Sequence, residues 1–170
     1  MIHKFLIFYS WIIRVVTFCL PDIPIIMRFR GSLYFIFNKN NYTNIQVAHS
    51  VVIVGLENFD MQSNTYIANG CVIIANGRII LGKNTIIGPN TTLVSSEHIW
   101  SEDSYRNAKS KPTEIFIENG CWIGANCVCI GGSLLPKGSI LAAGGVLNKK
   151  HTEINSIYAG TPAIFKKKIR

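Results

Sequence analysis

From residue 61 to residue 147 the aliphatic positions recur every six residues, in three phased blocks. These are Met61, Ile67, Ile73 and Ile79; then Leu81, Ile87 and Leu93; then Ile117, Ile123, Cys129, Leu135, Leu141 and Leu147. A period of six is neither helical nor a simple alternation, and a fixed repeat governs how everything else is read. The residue three places after each slot gives the period its meaning: Asn64, Gly70, Asn76, Asn84, Asn90, Gly120, Asn126, Gly132, Gly138 and Gly144. Asn and Gly enter the left-handed backbone region at least cost, so the chain turns a corner once per hexad. The next residue is small each time: Thr65, Cys71, Gly77, Thr85, Thr91, Cys121, Cys127, Ser133, Ser139 and Gly145. A narrow coil interior needs that. Short strands joined by such corners stack into a solenoid, each coil burying its aliphatic stripe against its neighbours.

Three irregularities interrupt the pattern. Two-residue slips of phase at 59 to 61 and 79 to 81 predict local bulges, and Val47, Ile53 and Phe59 keep the spacing without the corner residues, as in a terminal coil. Residues 94 to 116 are charged and carry no repeat, yet Leu93 and Ile117 are 24 apart, so the phase resumes beyond them. A loop of this length in a compact domain is usually functional. His98 stands at its base, five residues after the last aliphatic slot.

The N-terminus follows another pattern. Phe5 to Leu20 is an apolar run of 16 residues containing Arg14 and followed by Pro21 and Pro24, shorter than the roughly 20 residues of a spanning helix. It lacks the small-residue cleavage site of a secretory signal. Two readings stay open. Lys4, Arg14, Arg28 and Arg30 flank apolar stretches, as in an interfacial helix that meets anionic head groups at a membrane surface; alternatively the helix packs on its own domain or on a subunit neighbour.

Composition narrows the picture. With 170 residues, 48% hydrophobic and 15% charged, the chain fills one core rather than two. Five cysteines, at 19, 71, 121, 127 and 129, show no metal-ligand spacing, and three fall in small slots of the repeat, which fits free thiols in a reducing compartment. The net charge of +8 is uneven: Lys149, Lys150, Lys166, Lys167, Lys168 and Arg170 face only Glu153 near the C-terminus. Such a tail is either solvated or bound to phosphate on a nucleic acid, a membrane or a cofactor. Nucleic acid ranks last, because no aromatic residues interleave with the basic ones.

Several segments together resemble the hexapeptide-repeat acyltransferases with a left-handed β-helix. The likeness is nearest to the sugar O-acetyltransferases related to maltose and galactoside acetyltransferases and to those that decorate surface polysaccharides. The segments are Leu81 to Asn84 with Ile87 to Asn90, Leu93 to His98, Cys121 to Asn126, Leu141 to Val146 and Gly160 to Ala163, within about residues 45 to 170. The resemblance implies that His98 is the general base, a role imidazole suits because it titrates near working pH. It implies acetyl-CoA in a cleft between coils of two subunits, a homotrimer, and an Ala125 backbone amide holding the thioester oxyanion. Trp122 would border the site; its alternative is outer-face packing. Ala143, Asn148 and Lys149 match positions along the pantetheine arm, and Lys167 a basic residue near the nucleotide phosphates. Two departures stand out: Ala68 replaces an acceptor-binding Asn, and Ile164 replaces a Lys or Arg after the Pro-Ala pair, a contact that Lys166 or Lys168 could supply.

The expected architecture is an all-β solenoid, a left-handed parallel β-helix over residues 45–150 with loop 94–116 inserted. An apolar and basic N-terminal segment, 1–44, helical or irregular, precedes it, and a basic tail, 151–170, follows. The expected function is acetyl-CoA-dependent O-acetylation of a carbohydrate, such as a surface-polysaccharide precursor, in the cytoplasm or at the inner face of the membrane, with no metal. N-acylation of a nucleotide-linked amino sugar and a non-catalytic scaffold are the alternatives. A three-histidine zinc site is disfavoured, since His3, His49 and His151 lie far apart in sequence and outside the loop.

Overall fold

In the computed structural model, which describes residues 2–36, 42–106 and 108–169, the hexads form three parallel sheets around one core. The first face contains Ile45–Val47, Thr65–Ile67, Ile86–Ile87, Trp122–Ile123, Ile140–Leu141 and Ser156–Ala159. The second contains Val52–Val54, Val72–Ile74, Thr92–Val94, Val128–Ile130 and Val146–Leu147, and the third Phe59–Met61, Ile79–Leu81, Ile115–Ile117 and Ser133–Leu135. Inward residues stack coil on coil: Ile53 on Ile73, Ile73 on Leu93, Leu93 on Cys129 and Cys129 on Leu147. The step between coils is therefore 20 residues twice, 36 across the loop, and 18 thereafter.

The corners are as the hexads demand. Of the ten Asn and Gly positions, all but Asn76 have positive φ, from 56° at Asn126 to 84° at Gly132. The aliphatic slots are all buried, and so are the small polar ones. Hydroxyls in those slots bond to corner carbonyls, Thr65 to Gln62 and Thr85 to Gly82, each at 2.7 Å, whereas the buried Ser133 hydroxyl has no partner among the described residues. Burial raises the thiols of Cys71, Cys121 and Cys127, Cys121 to about 11, which keeps these core cysteines inert.

The two slips do not form bulges within strands. Phe59, Asp60 and Met61 pair regularly with Ile79, Ile80 and Leu81. The extra residues lie in the preceding corners, 55–58 and 75–78, where Asn58 Nδ2 donates to the carbonyls of Ala75 (3.0 Å) and Asn76 (3.1 Å). An extra residue inside a strand would turn every later side chain to the wrong face, whereas a corner absorbs it. Asn76, the exception in φ, sits in one of these long corners. The third corner of the same column is where the loop leaves the solenoid, and in the fourth coil Gly131 and Gly132 close it tightly.

Both ends are covered, as solenoid ends must be. Helices α1 (Ile2–Thr17) and α2 (Pro24–Tyr34) lie over the first coil, with Ser10 Oγ donating to the Ile53 carbonyl at 2.7 Å and Ile13, Met27 and Tyr34 joining the core. Arg30 corrects the sequence reading. It is fully buried and faces no lipid: its guanidinium bonds Asp22 (2.9 Å), the Val47 carbonyl (2.7 Å), Thr17 Oγ1 (3.0 Å) and the Thr17 and Leu20 carbonyls. At the other end the basic tail is folded, Ile164–Lys168 pairing antiparallel with Ser156–Ala159; Arg170 lies outside the described residues. Among the described residues no helix is long and apolar enough to cross a membrane.

Candidate active site

Loop 94–116 begins as a two-stranded arm. Ser96–Glu97 pairs antiparallel with Lys111–Pro112, setting Glu97 opposite Lys111. Its root is fixed: the Ser95 carbonyl accepts Thr113 N–H at 2.9 Å and Gly77 N–H at 3.1 Å, and Ser95 Oγ donates to the Gly77 carbonyl at 2.7 Å. His98 follows the first strand of the arm directly. It is exposed and has no hydrogen bond or ion pair among the described residues, so both ring nitrogens are open to a substrate. Farther out, Trp100 and Tyr105 are exposed and meet edge to face, centroids 4.9 Å apart.

Ala125 stands on a different corner column, between the first and second faces. The flanking amides are committed: Gly124 N–H donates to Leu141 at 2.8 Å and Asn126 N–H to Pro89 at 2.9 Å. The Ala125 N–H has no acceptor among the described residues. Ala143 occupies the same column one coil on, and both it and Ala125 reach the surface. Trp122 stands on the outer side of the first face, half exposed, between Ile86 and Ile140 in register. Asn148 and Lys149 are exposed at the corner after the second face. Lys167 is exposed on the last strand, opposite Ile157.

One chain thus brings Ala125 and Ala143 together and holds His98 on the opposite edge of the second face. Lys149 and Lys167 sit on different faces. Lys168 is engaged with Glu153 (2.6 Å) and the Ile154 carbonyl (3.0 Å), so it is not a free replacement for the cation missing at Ile164. Ala68 is buried, donates its N–H to the Ile87 carbonyl at 3.0 Å and offers only a methyl group. The other histidines are separate: His3 pairs with Glu57, His49 with Asp22, and His151 stacks on Tyr158 with centroids 4.2 Å apart.

The sequence reading passed over one polar cluster on the Ala125 column. Asp22 accepts from His49 through the backbone N–H (2.9 Å) and lies 2.7 Å from its Nδ1, while Ser50 Oγ donates to Asn69 Oδ1 at 3.0 Å. Asp22 and His49 are 27 residues apart, and no periodicity joins them. A separate groove of about 370 Å³ on the third face, lined by Phe116, Glu118, Asn119 and Lys137 among others, includes none of the expected site residues.

Comparison with known proteins places this geometry. The chain superimposes on a hexapeptide-repeat acetyltransferase from Vibrio cholerae O1 biovar eltor, solved with acetyl coenzyme A, with a TM-score of 0.80 at 18% identity over 98% of this chain and 88% of that one. The fold is that of the hexapeptide-repeat acetyltransferases. The likeness carries the left-handed coil that the family resemblance implied. A maltose O-acetyltransferase from Clostridium difficile 630 matches equally, with a TM-score of 0.81 at 18% identity, 98% and 89% of the two chains being covered. In sequence the chain is 30% identical over 82 residues to a galactoside O-acetyltransferase of Lactococcus lactis subsp. lactis (strain IL1403), covering 48% of this chain and 39% of that protein's length. No family model matches the chain.

Proposed function

We propose that this chain transfers an acetyl group from acetyl-CoA to a carbohydrate hydroxyl, with His98 as general base. The observation that carries the reading is the unpartnered His98, held one residue beyond a rooted β-arm on a solenoid of the acetyltransferase kind. O-acetylation ranks above N-acylation on the sequence match to a galactoside O-acetyltransferase.

In this reading His98 takes the acceptor proton as the hydroxyl oxygen attacks the thioester carbon. The carbonyl oxygen becomes an oxyanion, and the uncommitted Ala125 N–H donates to it. Collapse expels the coenzyme A thiolate, which recovers the proton from the imidazolium. Ala143, Asn148 and Lys149 line the pantetheine arm, Lys167 faces the phosphates, and Trp122 borders the site.

Because His98 and Ala125 lie on opposite edges of the second face, the reading joins the arm of one copy to the Ala125 corner of the next. A cyclic homotrimer closes that head-to-tail contact. A cytoplasmic setting fits the free cysteines. The exposed Trp100 and Tyr105, with Arg106, Lys109 and Lys111 nearby in sequence, suit an extended or anionic glycan such as a polysaccharide precursor. The test is thiol release from acetyl-CoA across sugar and amino-sugar acceptors, with mass measured by light scattering. Faster turnover of an amine than of any hydroxyl acceptor would overturn O-acetylation, and a fully active monomer would overturn the shared site.

A further inference from the structure

Helix α1 is amphipathic in an inverted sense. One narrow stripe, Ser10, Ile13 and Thr17, packs on the solenoid. The opposite side is where a surface helix normally carries charge, yet it presents Phe5, Phe8, Trp11, Ile12, Val15 and Val16 to the outside, Val16 at 71% and Phe8 at 58% exposure. α2 continues the pattern with exposed Ile25 and Phe29. Single exposed apolar side chains are ordinary, but a contiguous group of aromatic and branched residues marks an interaction surface.

Charge decides what fits it. Lys4 and Arg28 are exposed beside this surface and Arg14 flanks it half-buried; none is in an ion pair among the described residues. Within residues 2–36 the one acidic residue is Asp22, and Arg30 and His49 occupy it. A protein partner or second copy would have to bury these cations or supply carboxylates for them. A bilayer with anionic head groups meets both demands, since the rings enter the acyl boundary while Lys4 and Arg28 stay at head-group level.

We infer that the outward face of α1, with α2 beside it, docks the protein on an anionic lipid surface. The solenoid is then anchored at its first coil. This is independent of the catalytic reading.

The test is co-sedimentation of the full chain with phosphatidylcholine vesicles and with vesicles containing about 30% phosphatidylglycerol. Binding is expected to the anionic vesicles, weaker on neutral ones, and to decrease as salt screens the charges. The F8E/V15E double variant changes only exposed positions; it should bind at least tenfold more weakly with an unchanged circular dichroism spectrum. K4E/R28E should lose the preference for anionic lipid. Failure of the wild type to sediment with anionic vesicles overturns the inference. So does equal binding by F8E/V15E, or a fall in assembly mass in that variant, which would assign the face to a second copy.

Discussion

Gly144 donates its backbone N–H to the Ala125 carbonyl at 2.9 Å, tying together the corners of two successive coils. That bond, with those made by the Gly124 and Asn126 amides, holds the Ala125 peptide in place and leaves its own N–H as a donor. An oxyanion donor is worth most when it is fixed before the reaction begins. The solenoid supplies that rigidity from stacking alone.

Gly124 lies where the corners of Ala125 and Ala143 stack closely. A Cβ there would lie 2.6 Å from the Ala143 nitrogen and 2.9 Å from its Cα, backbone atoms that cannot yield cheaply. Gly124→Ala should destabilise the protein by about 1–3 kcal/mol, as overpacking does, and lower kcat by moving the Ala125 amide. Gly132 provides the contrast: a Cβ there meets nothing within 4 Å, and Asn adopts positive φ at other corners. Gly132→Asn should stay within about 0.5 kcal/mol of wild type in urea unfolding.

Asp22, held by His49 and paired with the buried Arg30, is a determinant of acid stability. Burial pushes the Asp22 carboxyl up, but its hydrogen bonds with the His49 ring and amide, the charge of that ring and a hydrogen bond with Asn69 outweigh this and hold it below the ordinary value. A lowered carboxyl stabilises the fold above its unfolded pKa, about 3.9, and that contribution disappears as pH falls through the folded value. Melting temperature should therefore drop below about pH 4. Asp22→Asn should melt lower at neutral pH, by about 3–5 kcal/mol of lost stability for a stranded buried cation, and its acid slope should be shallower.

With Lys149 along the coenzyme A arm and Lys167 at its phosphates, neutralising both as K149Q/K167Q should raise the acetyl-CoA KM about tenfold or more. The change in kcat should be smaller, because these contacts persist from ground state to transition state. The wild-type KM should also rise with salt. A KM indifferent to salt and to both substitutions would leave these lysines as solubilising charges.

The exposed Trp100 and Tyr105 pair should discriminate among acceptors. W100A and Y105A are expected to lower kcat/KM on an oligosaccharide several-fold and to leave that on a free monosaccharide nearly unchanged. Equal use of small free sugars by the wild type would contradict an extended acceptor.

Most of the solenoid was legible because a coil leaves little choice at each position. Ile67, Ile73 and Leu93 had to be aliphatic, Asn84 and Gly138 had to turn, and Cys121 and Cys127 had to be small. The slips were visible but misplaced, since periodicity counts residues without saying whether a strand or a corner holds the extra ones. Arg30 was misread because its partners, Asp22, Thr17 and Val47, are brought to it by helix packing that no repeat encodes. The position of His98, at the base of the one long interruption, was legible. Its distance from Ala125 across the second face was not, because that depends on which corner each residue occupies.

The decisive measurement is steady-state turnover of His98→Ala on the best acceptor, with acetyl-CoA affinity measured by calorimetry on the same preparation. Loss of a general base should lower kcat by about 10² to 10⁴, with the acetyl-CoA Kd within about threefold of wild type. Undiminished turnover in a correctly folded His98→Ala protein would contradict the assignment.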